Sequence, residues 1–129
     1  MIALDASFLI AYFATDDVHH EAAVQRLEEA ADVDLIVSTV TLAELLVGPV
    51  RAGNLESAIE ALAGLEVTES PLPGDAAVRL ARLRAETRLR LPDCCVLLAA
   101  EEKAAEAVGT FDEQLALVAK NRGFRVVSR

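Results

Sequence analysis

Short apolar runs alternate with longer stretches of helical spacing along the whole chain. The first run, residues 1–5, is apolar up to Asp5 and predicts a buried strand. Ser7 can cap a helix that follows to about Ala14. Asp16 and Asp17 precede a second helix, about 19–31, in which Ala22, Ala23, Leu27 and Ala30 recur at helical spacing. After a turn at 32–34, residues 35–38 read as a second strand. A third helix is expected from near Thr41, with Gly48 and Pro49 as candidate breaks and Gly53 as its end. Residues 54–63 read as a further helix and 65–69 as a strand, followed by a loop at Pro71, Pro73 and Gly74. Leu80 and Leu83 give 75–89 an apolar helical side. Pro92 fits the first turn of a helix running to about Ala107. Residues 108–110 read as a short strand, Asp112 caps a helix to Lys120, and 125–127 form a last strand. Strands alternating with helices predict an α/β layered fold with a mainly parallel sheet.

That reading places acids at one edge. In an open parallel sheet, ligands bind where strands end and helices begin. Asp5 ends the first strand, Asp93 follows Pro92 in a first helical turn, and Asp112 follows Thr110 at another strand-to-helix junction. Glu44 lies near the start of the third helix. Leu42, Leu45 and Leu46 form the apolar side there, so Glu44 is expected to face a cleft or solvent. Each acid also has a structural explanation. Asp112 can be an N-cap, Asp93 a charge favoured by the helix dipole, and Thr41-Leu42-Ala43-Glu44 a capping box. Asp5 is hardest to explain in this way, because a carboxylate directly after a buried strand is costly to desolvate without a compensating partner. Converging carboxylates repel one another, and a divalent ion relieves the repulsion. Oxygen-only ligands without a Cys/His quartet point to Mg²⁺ or Mn²⁺. The matching chemistry is attack of water on a phosphodiester.

Composition narrows the field. With 129 residues, 53% of them hydrophobic, the chain reads as one folded domain spanning 1–129. No apolar run is long enough to cross a bilayer, and the start lacks a basic leader region. Cys94 and Cys95 are adjacent and cannot staple distant segments, so they read as small apolar fillers of a protein in a reducing cytoplasm. The net charge of −9 argues against a simple duplex-binding protein. It is unevenly spread: residues 1–78 hold 14 acids and two arginines, whereas 79–129 hold ten basic residues and seven acids. Arg79, Arg82, Arg84, Arg88 and Arg90 crowd one short stretch. Glu86 shares a helix face with Arg79 and Arg82, which leaves Arg84, Arg88 and Arg90 as candidate phosphate or partner contacts. His19 and His20, paired at a helix start, read as solvated rather than catalytic. Tyr12 and Phe13 read as core or dimer contacts.

Asp5-Ala6-Ser7, Thr41-Leu42-Ala43-Glu44-Leu45, Leu91-Pro92-Asp93 and Gly109-Thr110-Phe111-Asp112 occur in this order. Together they resemble the PIN-domain pattern, especially VapC toxins of VapBC toxin–antitoxin modules. The segment Asp17-Val18-His19-His20-Glu21-Ala22 resembles the start of that family's second helix. The resemblance implies a Rossmann-like three-layer α/β/α sandwich and metal-dependent cleavage of RNA, with tRNA a reasonable substrate. By the same analogy Asp5, Glu44, Asp93 and Asp112 form an acidic quartet, with Ser7 and Thr110 as supporting hydroxyls. It further implies a homodimer and a VapB-like antitoxin. Aromatics make up only 4% of the chain, so grip on RNA is expected to be electrostatic and shape-based. The alternatives are a catalytically silent PIN-fold binding module, a DNA-directed PIN nuclease, and a signalling receiver domain. A receiver needs an Asp at the end of a middle strand and a Lys after a late strand, and this chain offers no Asp in that place and only Lys103 and Lys120, both expected on helices.

Overall fold

The computed structural model describes residues 1–129. Its elements, in chain order, are β1 (Ile2–Leu4), α1 (Ala6–Phe13), α2 (His20–Glu29), β2 (Leu35–Ser38), α3 (Thr39–Ala52), α4 (Leu55–Leu65), β3 (Val67–Ser70), α5 (Ala76–Thr87), α6 (Leu91–Glu102), β4 (Ala107–Gly109), α7 (Glu113–Asn121) and β5 (Arg125–Val127). The strands form one parallel sheet in the order β3-β2-β1-β4-β5. The expected α/β class and three-layer arrangement are therefore present.

The layers follow from the two-residue alternation of strand side chains. Ile2, Leu4, Leu35, Val37 and Ala107 point to one face, where Phe8, Leu9 and Ala11 of α1 and Ala23 and Leu27 of α2 cover them. Ala3, Ile36 and Val108 point to the other, under α5, α6 and α7. The inner strands β1, β2 and β4 are buried throughout, whereas the edge strands β3 and β5 are partly exposed. Helix α6 is buried from Cys94 through Ala100, as a helix apolar on all sides must be. The two cysteines are free and buried, as fillers should be.

From β1 the chain first builds toward β2 and β3, then returns to lay β4 on the other side of β1. The order of strands thus reverses between β1 and β4, and a crevice opens there at the carboxyl ends. Gly109 keeps those two strands close: a Cβ at this position would lie 2.6 Å from Leu4 Cδ2, and Leu4 is itself fully packed.

Several boundaries differ from the sequence reading. Helix α1 is capped by Asp5, not Ser7, because the carboxylate accepts the Phe8 N–H. Helix α3 starts at Thr39 with Ser38 as its cap, so the Thr41–Glu44 capping box does not form and Glu44 sits in the second turn. Gly48 and Pro49 lie inside α3 without ending it, although a proline there removes a ladder bond and crowds the carbonyl four residues earlier. It ends instead where Gly53 adopts φ 76°. There the Asn54 N–H reaches the Pro49 carbonyl and the Gly53 N–H the Val50 carbonyl. Helix α6 ends at Glu102, five residues before the expected Ala107, and Ala104 turns the chain at φ 52°. Its alanine-rich continuation carries no stop signal, and the turn is imposed by the entry into β4.

Candidate active site

Asp5 leaves β1 and enters the mouth of the crevice almost fully buried, at 3% exposure. Its Oδ1 accepts from the Ser7 hydroxyl at 2.7 Å and from the Phe8 N–H at 2.8 Å. Its Oδ2 accepts from the Thr110 hydroxyl. Each hydroxyl is itself fixed by a backbone donor: the Phe111 N–H binds Ser7 Oγ and the Asp112 N–H binds Thr110 Oγ1, both at 3.0 Å. Each hydroxyl accepts from the backbone on one side and donates its proton to the carboxylate on the other. Burial pushes the Asp5 pKa up and these bonds pull it down, with the burial winning; repulsion from Asp112 adds to the rise.

Asp112 caps α7 by accepting the Leu115 N–H at 2.8 Å. Asp93 stands in the first turn of α6, beside Pro92, and its pKa is pushed up to about 6. Burial is the largest cause, repulsion from Asp112 the next; Arg90 opposes both, and Asp5 and Glu44 push further upward. Glu44 comes from the exposed side of α3. All four acids line one pocket of about 80 Å³. The capping role of Asp5 and Asp112 and the convergence of the quartet therefore coexist. A larger cavity, about 420 Å³, lies elsewhere between α1, α3 and α4, but its lining is mainly apolar and carries no charged group.

The pocket contains one cation. Arg90 lines it, with Nε 3.9 Å from Asp93 Oδ2 and a side chain 75% exposed. Asp5, Glu44 and Asp112 have no ion-pair partner. Arg84 turns back on its own helix end, where Nη1 donates to the carbonyls of Arg88 (3.1 Å) and Leu89 (2.9 Å). Arg88 is the left-handed cap of α5 and exposed, and neither it nor Arg84 lines the acidic pocket.

The donor set suits a hard divalent cation: oxygen only, like-charged, and partly desolvated. No three His, Cys, Asp or Glu side chains stand close enough together to hold a metal ion directly as they are placed. Mg²⁺ keeps several of its own waters and needs only one or two direct carboxylates, so a ring around a small pocket fits it.

Sequence reasoning overlooked an aromatic brace at the mouth. Phe8 stacks on Phe111 with centroids 5.0 Å apart, and His19 also stacks on Phe111 at 4.5 Å. His19 and His20 are less solvated than expected: both are half-buried, and His20 Nδ1 lies 2.8 Å from the Ala11 carbonyl. The contact joins residues far apart in the chain, so no local pattern announces it. Thr41, expected at a helix start, in a capping box and within the Thr41–Leu45 motif but not as a site residue, also lines the acidic pocket.

A family model described as PIN domain matches residues 2–121. No curated protein matches the chain. Among solved structures, VapC20 of Mycobacterium tuberculosis, described as a sarcin–ricin loop cleaving toxin, superposes with a TM-score of 0.77. It shares 18% identity over 100% of both chains. A chain from a toxin–antitoxin complex of Klebsiella pneumoniae superposes at 0.73 with 25% identity, over 89% of this chain and 88% of that one. A chain of FitAcB from Neisseria gonorrhoeae gives 0.73 with 20% identity, over 99% of this chain and 97% of that one.

Proposed function

Because the chain belongs to the PIN domain family, we propose that it is a divalent-metal-dependent endoribonuclease, the toxin of a VapBC-type toxin–antitoxin pair. The observation that carries this reading is the convergence of Asp5, Glu44, Asp93 and Asp112 on one pocket at the β1/β4 switch point, with burial and mutual repulsion raising the pKa of Asp5 and Asp93. In this reading the four acids hold Mg²⁺ or Mn²⁺. Such an ion supplies an acidified water and charge neutralisation on a scissile phosphate.

The chain's own residues divide the remaining work. Ser7 and Thr110 aim Asp5 by donating to both of its oxygens. Asp93, whose pKa is pushed up to about 6, gives up its proton more readily when a cation is bound, so the pocket takes up a cation less readily in acid than at neutral pH. Arg90, exposed at the rim, draws a phosphate toward the acids and partly offsets its repulsion from them. Arg88 extends the basic stripe beyond the pocket, whereas Arg84 serves mainly to close α5. Structured RNA, tRNA among it, is the substrate class that such electrostatic grip suits.

The partners in this reading are a VapB-like antitoxin and a second copy of the chain. Exposed Ile10, Phe13, Val47, Val50 and Ile59 on α1, α3 and α4 supply the apolar area that protein partners require. The strongly acidic first 78 residues suit an antitoxin cation that competes for the carboxylates. A toxin–antitoxin complex among the structural neighbours supports this pairing. No helix is long and apolar enough to cross a membrane; in this reading the toxin acts in the cytoplasm, where its RNA substrates are.

The test is cleavage of RNA by the purified chain with Mg²⁺ or Mn²⁺ and with a chelator. Cleavage is expected only with the metal and is expected to vanish in Asp5→Asn. Metal-independent cleavage, cleavage of DNA alone, or full activity of Asp5→Asn would refute the reading.

A further inference from the structure

Buried hydroxyls are nearly always hydrogen-bonded, because an unpaired one gives up its bonds to water for nothing. Around the acidic pocket most obey: Ser7, Thr110 and Ser38 all have partners. Thr41 does not. It is 1% exposed, its Oγ1 has no partner, and it walls the same pocket as the four acids. It precedes Glu44 by three residues on α3, which sets the two on one side of the helix.

A valine would fill the space of Thr41 almost identically without a polar atom to satisfy. The hydroxyl therefore costs the empty protein stability and needs another explanation. We propose that Thr41 is a positioning residue of the pocket, its hydroxyl bonding the water shell of the divalent cation held by the acids. This rests on the metal-binding reading above. A hydrated ion turns the oxygens of its waters inward and presents their O–H groups as donors, which the Thr41 hydroxyl oxygen can accept, and a pocket of about 80 Å³ has room for a few such waters. Thr41 would then fix one of those waters in place and, through it, the ion against Glu44 and Asp93.

The molecule provides its own control. Ser70 Oγ is also buried and unpartnered, but Ser70 ends β3 and does not line the acidic pocket. Removing either hydroxyl should leave the metal-free protein as stable or more stable. Only removal at 41 should affect the cation.

The experiment titrates Mn²⁺ alone into the purified chain by calorimetry and measures melting temperature in chelator. It compares wild type, Thr41→Val, Thr41→Ser, Ser70→Ala and Asp93→Asn. Thr41→Val is expected to weaken Mn²⁺ binding about five- to tenfold, the size of one hydrogen bond, without lowering the metal-free melting temperature. Thr41→Ser and Ser70→Ala should stay within about twofold of wild type. The inference is overturned by Mn²⁺ affinity unchanged in Thr41→Val, by equal losses in Thr41→Val and Thr41→Ser, or by a lowered metal-free melting temperature in Thr41→Val. The last result would mean that the hydroxyl already has a protein partner. Wild type that fails to bind Mn²⁺, or binding that survives Asp93→Asn, would sink the metal-binding reading itself and the inference with it.

Discussion

On the outer surface of α5, α6 and α7, four acids meet two arginines. Arg79 reaches Glu102 at 2.6 Å, Asp75 at 3.5 Å and Glu101 at 4.0 Å, while Arg122 reaches Glu101 at 3.1 Å and Glu86 at 3.5 Å. At the β1/β4 crevice an equal number of acids, deeper and closer to fixed backbone, has only the exposed Arg90. The surface group is neutralised by the chain's own cations in water, where the repulsion was mild to begin with. In the crevice group Asp5 and Asp112 accept hydrogen bonds, but a single exposed arginine is the only cation where burial makes repulsion stronger. In the proposed reading, an arrangement that neutralises its surface acids and not its crevice acids leaves the latter for a cation from outside.

The largest test of that contrast is pH-dependent stability. The Asp93 pKa lies above its ordinary 3.8, at about 6, so between these values the folded chain keeps a proton that the unfolded chain has lost. This proton's contribution is fully present below the lower value and falls away as the pH rises through the higher one. Asp5, raised in the same direction, adds to the trend. Metal-free wild type should therefore lose stability on going from about pH 5 to pH 7.5, as read by thermal melts in chelator. Asp93→Asn should flatten that dependence and raise stability near neutrality by at most about 3 kcal/mol. It should also reduce RNA cleavage by more than about a hundredfold, beyond the loss typical of a mere supporting group. A melting profile unchanged by Asp93→Asn would mean that the crevice acids do not strain one another.

A smaller effect should come from what holds the crevice together. Ion pairs do not brace it; hydroxyls and an aromatic stack do. His19 covers Phe111, whose chain neighbours Thr110 and Asp112 belong to the site. His19→Ala should lower stability by about 1 kcal/mol and slow cleavage a few-fold, with His19→Phe restoring both. Restoration by phenylalanine would assign the effect to stacking. Failure to restore would point instead to a role for the imidazole nitrogens.

The same contrast explains what the sequence made legible. Strand cores and acids at strand ends were readable, because a run such as Ile2–Leu4 followed by Asp5 is a local pattern with a local cause. The convergence of Glu44 was only half readable: its helix was visible, but the cap at Ser38 rather than Thr41 shifts every position on it by most of a turn. The end of α6 was not readable, since Lys103 to Glu106 contains neither glycine nor proline and the turn is set by the docking of β4. The stack of His19 on Phe111 and the unpartnered hydroxyl of Thr41 were invisible, because both depend on neighbours that only folding supplies. Of the arginine stripe, the sequence could group side chains by face but could not tell that Arg84 would be drawn back to the carbonyls of Arg88 and Leu89.

The smallest effect belongs to the surface group. Arg122 links Glu101 on α6 with Glu86 on α5, and its side chain is about one-third exposed. Its pairs sit in water that already screens the charges, and holding a long side chain in place costs entropy. Arg122→Ala should accordingly cost no more than about 1 kcal/mol, shrink further in high salt, and leave Mn²⁺ affinity and cleavage unchanged. Thermal melts at two salt concentrations, with an Mn²⁺ titration beside them, check this. If Arg122→Ala weakened metal binding as Asp93→Asn is expected to, the two acidic groups would be coupled through α6. The crevice could then no longer be treated as electrically separate from the surface that the arginines neutralise.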